Sequence, residues 1–449
     1  MPKRTLPLTL LLAFGCAGQT DAGQTPVYKL LYSPASGAVP GGNPNAMIEV
    51  EPGLFDVLAI RDNGTSGPSI FSISSTGTFN LIYSFQPPSM LMSTFVQAPN
   101  GLVYVPGFIA PNNFYFSLAP AGKDFQQYPF PGHWGTAWQT LVVPPNELYD
   151  IVAVATGGPS TYGFAQIDEA GKIAILHQFS GNDGVPIGNN ITYGADGNIY
   201  GVGSETIGVS PGFIFRFTPT GAYSKLLSFP SFPDVATLAL ISASDGNLYG
   251  IFGGGGSNNT GEIYQATLSG QLQTVASFPA TGMTKPLSLM EAADGNIYGS
   301  TNSNFIFRYN LTTHQLTPVY RLDPYGSQGH CACQLVEGMD GKLYGVTPIG
   351  GNYPGIGAVF SLNIGLPKPK PFITGLYPSS GPVGQRVILW GNYLLGTNSV
   401  AFNGVPATSA VATSAQSVLV TVPAGAATGP VTITTANGSF TTGQNFTIQ

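Results

Sequence analysis

Two glutamates stand at one register of a repeated phrase. Glu291 and Glu337 each lie three residues before an Asp–Gly pair, Asp294–Gly295 and Asp340–Gly341, in neighbouring copies. Two carboxylates at a fixed separation can act as acid and base, or grip a Ca²⁺ ion together. The plainer reading is two solvated carboxylates near the mouth of a channel. The two preceding copies carry Tyr193 and Ser242 at this register, so the feature is not uniform. A second cluster is HWGTAW, residues 133–138. Trp134 and Trp138 offer flat faces on which a sugar or peptide can stack, and His133 can orient it. Packing between neighbouring copies is the competing role for these rings.

Other reactive side chains point to structure. The HCAC run places Cys331 and Cys333 two residues apart. Counting back from Asp340, Cys333 aligns with Leu238 and Leu287, which occupy core positions. A buried thiol is ordinary there. A strained or intermolecular disulfide, or a metal bound with His330, are the alternatives. His177 and His314 are scattered and read as surface residues. The Asp–Gly pairs invite a calcium reading, but the D-x-[DN]-x-[DN]-G loop and its later Glu are missing, so they read as turns. No GxSxG, HExxH or GxGxxG occurs, and GGGG (253–256) precedes a strand instead of a helix. No cofactor or metal is expected.

The elements that must position these residues are readable from the repeat. DGNIYG (196–201), DGNLYG (245–250), DGNIYG (294–299) and DGKLYG (340–345) place Tyr200, Tyr249, Tyr298 and Tyr344 at steps of 49, 49 and 46 residues. Weaker copies hold Phe55, Tyr104 and Tyr149. Seven copies result, and a full copy carries four short apolar runs. That spacing predicts a seven-bladed β-propeller. In the fifth copy the predicted strands are 236–242, 247–252, 261–268 and 271–278. The seventh copy lacks a fourth strand, because NIGLPKPKP follows Leu362. Residues 27–32 resemble a fourth strand and are expected to complete the last blade and close the ring.

The copies resemble the tandem GloVer-type repeats of exported bacterial proteins. The matching phrases are DGNLYG…GGGG…GEIY (245–264) and DGKLYG…GG…GAVF (340–360). The resemblance implies a surface or secreted β-propeller and no defined chemistry. Beyond the stiff segment 365–370 the pieces I-x-x-L-x-P-x-x-G-P-x-G (373–384), V-x-F-N-G-V-P-A (400–407), V-x-V-P (420–423) and G-P-V-x-I-x-T (429–435) are similar to the IPT/TIG class of immunoglobulin-like domain. That resemblance implies a small β-sandwich over 371–449, with Trp390 packed between its sheets. Such domains accompany enzymes, receptors and adhesins alike, so the fold does not choose a function.

Composition narrows the partners. Only 8% of the 449 residues are charged, the net charge is −6, and Tyr 21 and Phe 27 favour strands. No basic patch suits nucleic acid. At the amino end Lys3 and Arg4 precede the apolar run Leu8 to Phe14, followed by small residues. This is the pattern of a secretory signal peptide over 1–22. Cys16 raises lipid anchoring as a minor alternative. No transmembrane segment is expected in the mature chain, whose propeller would span 23–364. The resulting expectation is a secreted or cell-surface binding or adhesion scaffold for a glycan or extracellular protein. A polysaccharide lyase or hydrolase using Glu291 and Glu337, or a structural subunit of a surface complex, are the alternatives. Ligand contacts are expected on the rim of variable loops, from His133, Trp134, Trp138, Asn258 and Tyr353, with the uniform Asp–Gly turns on the opposite rim.

Overall fold

The computed structural model describes all residues outside 1–24, 35–41, 61–66, 87–89, 92–95, 110–111, 120–124, 131–133, 144–146, 155–161, 169–171, 207–208, 230–236, 331–333 and 353–355. The expected signal peptide over 1–22 and the expectations for Cys16, His133, Cys331, Cys333 and Tyr353 therefore lie outside the described residues.

Each repeat builds one antiparallel sheet. In the fifth, Thr237–Ser242, Leu248–Phe252, Glu262–Ala266 and Leu272–Ser277 pair in chain order. The second strand is buried along its whole length, as a strand covered on both faces must be. The repeated phrase explains the turn. The Asp245 carboxylate accepts bonds from the Asn247 backbone N–H at 3.0 Å and the Tyr249 hydroxyl at 2.8 Å. Gly246 sits at φ 82°, where a side chain would be strained. The Tyr200, Tyr298 and Tyr344 hydroxyls donate in the same way to Asp196, Asp294 and Asp340. Burial raises the Asp196 and Asp245 carboxyls, but these donated bonds outweigh it and leave both below the ordinary aspartate value. The glycine after each tyrosine meets an aromatic ring of the third strand. A Cβ at Gly250 would lie 2.1 Å from the Tyr264 ring, and one at Gly345 2.4 Å from that of Phe360.

Third and fourth strands pair with a bulge at a recurring place. Register shifts occur at Ile70/Phe71, Phe164/Ala165, Ile214/Phe215, Ile263/Tyr264 and Ile306/Phe307. Such bulges sharpen the twist of the outer edge. Val27–Tyr32 takes the fourth place in the sheet of the last repeat, antiparallel to Ala358–Asn363, again with a shift, at Leu30/Tyr32. Tyr28 stacks on Phe360 and Tyr320 beside it.

The architecture corrects one expectation. The sequence predicts a closed seven-bladed propeller followed by a β-sandwich. Strand pairing instead gives an all-β assembly of nine separate sheets of four or five strands among the described residues, and none closes on itself. The physical reason is where the hydrogen bonds stop. Each ladder ends at the outer strands of its own sheet, which in the last repeat include Val27–Tyr32. Adjoining sheets meet through side chains of their inner strands, as Thr237–Ser242 meets Pro286–Glu291, and share no ladder. No helix among the described residues is long and apolar enough to cross a membrane.

The carboxy-terminal part likewise comprises two open sheets. One orders Phe372–Tyr377, Arg386–Asn392, Ser417–Thr421 and Ala410–Ser414. The other runs Ser380–Gly381, Gly438–Ile448, Gly429–Thr435, Thr397–Phe402 and Val405–Pro406. They share a core that includes Leu389, Val418, Phe402, Ile433 and Phe446. Trp390 is not in it. This indole is 7% exposed and packs in the cluster of Tyr104, Tyr115, Phe130 and Leu148 from the second and third repeats. The expectation that it fills the space between its own sheets is thereby corrected. Strand alternation turns Trp390 away from the face that buries Leu389.

Candidate functional site

The two glutamates of the sequence pattern each accept a backbone N–H from outside their own repeat. Each reaches back to the repeat before its own. Glu337, at the end of Gln334–Glu337, accepts the Ala293 N–H at 2.7 Å. Glu291, at the end of Pro286–Glu291, accepts the Ser244 N–H at 2.8 Å and also the Ser244 hydroxyl. Both donors, Ala293 and Ser244, lie one residue before an Asp–Gly pair. A third carboxylate does the same. Glu49 accepts the Met339 N–H at 3.0 Å and the Gly53 N–H at 2.8 Å. The three are clasps that tie neighbouring sheets where no ladder joins them.

Glu49 escaped the sequence pattern for a concrete reason. It lies six residues before Phe55, whereas Glu291 and Glu337 lie seven before Tyr298 and Tyr344. The turn of the first repeat is one residue shorter, and the pairing shifts register between Glu49 and Glu51. Allowing for that shorter turn would have found it.

Burial sets the electrostatics of these clasps. Glu337 is 5% exposed and its carboxyl is pushed up to about 7, chiefly by desolvation and also by Asp294, against the bonds from Tyr393 and Ala293. Glu49, 6% exposed, is likewise raised to about 7 by burial, with Asp340 and Glu337 adding to it. Glu291 is raised in the same direction by burial.

The three carboxylates line one cavity of about 940 Å³. Its walls come from the inner strands of several repeats, the segment 367–371 and the carboxy-terminal sheets. Met47, Ile241, Met290 and Val336 alternate there with Gln97, Thr192, Ser242 and Gln334. The carboxy-terminal part closes over the Asp–Gly turns. The Tyr393 hydroxyl donates to Glu337 Oε2 at 2.6 Å, and Asn437 Nδ2 donates to the Met339 carbonyl at 2.8 Å. Tyr193 and Tyr377 join by their hydroxyls, and burial pushes Tyr193 up to about 12. Lys368, Lys370 and Phe372 are exposed on the lining, so the cavity is open on that side.

The expected rim contacts fare differently. Trp134 and Trp138 fall in the strand Trp134–Val143, and their side chains lie outside the described part of the structure, like His133 and Tyr353. Asn258 is exposed, but its amide donates to the Phe278 carbonyl at 3.0 Å and so anchors the glycine-rich loop. His177 stacks on Tyr223 and faces Asp183 at 3.3 Å. His314 Nδ1 bonds the Tyr309 hydroxyl at 2.8 Å. Among the described residues no group of three His, Cys, Asp or Glu is placed to hold a metal ion.

Known families account for much of the chain. Residues 107–305 match the Gloeobacter/Verrucomicrobia repeat, and residues 371–448 match the IPT/TIG domain. This chain contains both. No curated protein matches it in sequence. Solved structures are similar in fold. A fungal alcohol oxidase of the AA5 family, in complex with copper, aligns at 12% identity and TM-score 0.51, covering 91% of this chain and 98% of that one. An oligogalacturonate lyase from Vibrio parahaemolyticus aligns at 10% and 0.50, over 77% and 95%. A puromycin hydrolase aligns at 15% and 0.50, over 80% of this chain and 61% of its own length. At such identity the likeness is one of fold alone.

Proposed function

We propose that this chain is an extracellular or cell-surface binding protein, a recognition scaffold for a glycan or matrix protein. The observation that carries this reading is the use of the carboxylates. Glu49, Glu291 and Glu337 each spend oxygens on backbone N–H groups of a neighbouring repeat. What remains on the cavity wall is apolar surface interspersed with amides, hydroxyls and the exposed Lys368 and Lys370, a composition that suits ligand binding. The leader pattern around Lys3 and Leu8–Phe14 supports export.

The test is capture on glycan and matrix-protein arrays, with two variants that separate the faces. Ser242→Trp places a large ring in the cavity, and Trp134→Ala removes one ring of the HWGTAW segment. A bound ligand lost in one variant without a fall in melting temperature is the expected result. Turnover of a polysaccharide with no ligand captured on either array would reverse the reading.

A further inference from the structure

The cavity carries features that a scaffold role leaves unexplained. Two buried acceptors on its wall have no hydrogen-bond partner, Gln97 Oε1 and Glu337 Oε1. Glu337 is 95% buried by its 5% exposure, and its other oxygen is taken by Ala293 and Tyr393. An unpaired acceptor removed from water is costly, so a built cavity that keeps two of them is prepared for donors. Asn392 and Gln416 add further amide groups to the lining.

The open side has a different character. Lys368 and Lys370 stand exposed on the lining, separated by Pro369 in the stiff linker. They belong to a chain with only 15 Lys and Arg, and no described carboxylate forms an ion pair with either. Phe372 and Phe440 pack edge to face at 4.7 Å beside them and line the same cavity. A ligand that fits must offer many hydroxyl donors to the interior, an apolar face to the aromatic edge and a negative charge to the mouth. A neutral sugar meets the first two demands, and a sugar that carries carboxylates meets all three.

We propose that the cavity between the repeat sheets and the IPT/TIG domain is a binding site for an acidic oligosaccharide. Its hydroxyls reach Gln97 and Glu337, and its carboxylates lie at Lys368 and Lys370. This rests on the binding reading above and names its site and ligand class.

Calorimetric titration of the full chain with trigalacturonate, and with cellotriose as the neutral control, tests it. Trigalacturonate is expected to bind, more weakly at 200 mM than at 20 mM salt because exposed charges are screened (both about the range over which screening changes). Lys368→Ala with Lys370→Ala should weaken it by about tenfold, the sum of two exposed ion pairs. Gln97→Leu should weaken both sugars, and melting temperatures show which variants fold. Failure of trigalacturonate to bind, equal binding of cellotriose, or indifference to the lysine pair overturns the proposal. Array capture that survives Ser242→Trp overturns it too, while leaving the binding function standing. Turnover without any captured ligand removes the function itself.

Discussion

Glu337 shows how one carboxyl can serve two partners and be sensitive to pH. It joins the sixth repeat through Ala293 and the IPT/TIG domain through Tyr393. Its folded pKa of about 7 stands above the ordinary 4.5. Between those values the folded chain keeps a proton that the unfolded chain has lost. Stability from this group is therefore full below about 4.5, falls as pH rises, and is gone above about 7. Glu49 and Asp56, both raised to about 7 by burial, push the same way. Asp196 and Asp245, held below the usual value, act only at lower pH. Glu337→Gln retains the acceptor for Ala293 and cannot ionise. Its melting temperature should match the parent at pH 4.5 and exceed it at pH 8 by scanning calorimetry. An equal difference at both pH values would mean that Glu337 acts by shape alone.

At the scale of elements, the decisive contact is a strand of the IPT/TIG domain against the repeats. Arg386–Asn392 gives Leu389 to its own core and Trp390 to the cluster around Tyr104. Trp390→Ala should cost about 3–5 kcal/mol of that docking, as loss of a buried large aromatic does. Because the core of Leu389, Val418 and Phe402 stays intact, the domain itself should remain folded. Limited proteolysis is expected to cut the variant first within 365–370, and unchanged resistance there would show that other contacts hold the domain. The same alternation explains why the sequence misleads here. A lone tryptophan in a sandwich-like pattern suggests an interior position, and only the neighbour on the opposite face reveals the other use.

Across the whole molecule, separate sheets are held by clasps and ring packing in place of a continuous ladder. Val27–Tyr32 is the element whose loss should be felt furthest, since it pairs with Ala358–Asn363 at the far end of the repeats. Deleting residues 24–33 bares that edge and removes the stack of Tyr28 on Tyr320 and Phe360. The truncated chain is expected to melt many degrees lower and to aggregate, followed by calorimetry and light scattering. Melting within a few degrees of the full chain would assign the strand a minor role. The turns were legible in sequence because their bonds are local: Asp245 binds two and four residues ahead. The glycine after each tyrosine and the place of 27–32 beside the last repeat were signalled by the same recurrence. The partners of the glutamates were not, because they lie 44 residues away for Glu337 and 290 for Glu49. Spacing along the chain alone determined strands, turns and the two family signatures. Only the tertiary structure decided that each ladder stays within one sheet, that Glu49, Glu291 and Glu337 accept bonds from neighbouring repeats, and that the IPT/TIG domain roofs a cavity, because those contacts depend on how whole sheets are set against one another.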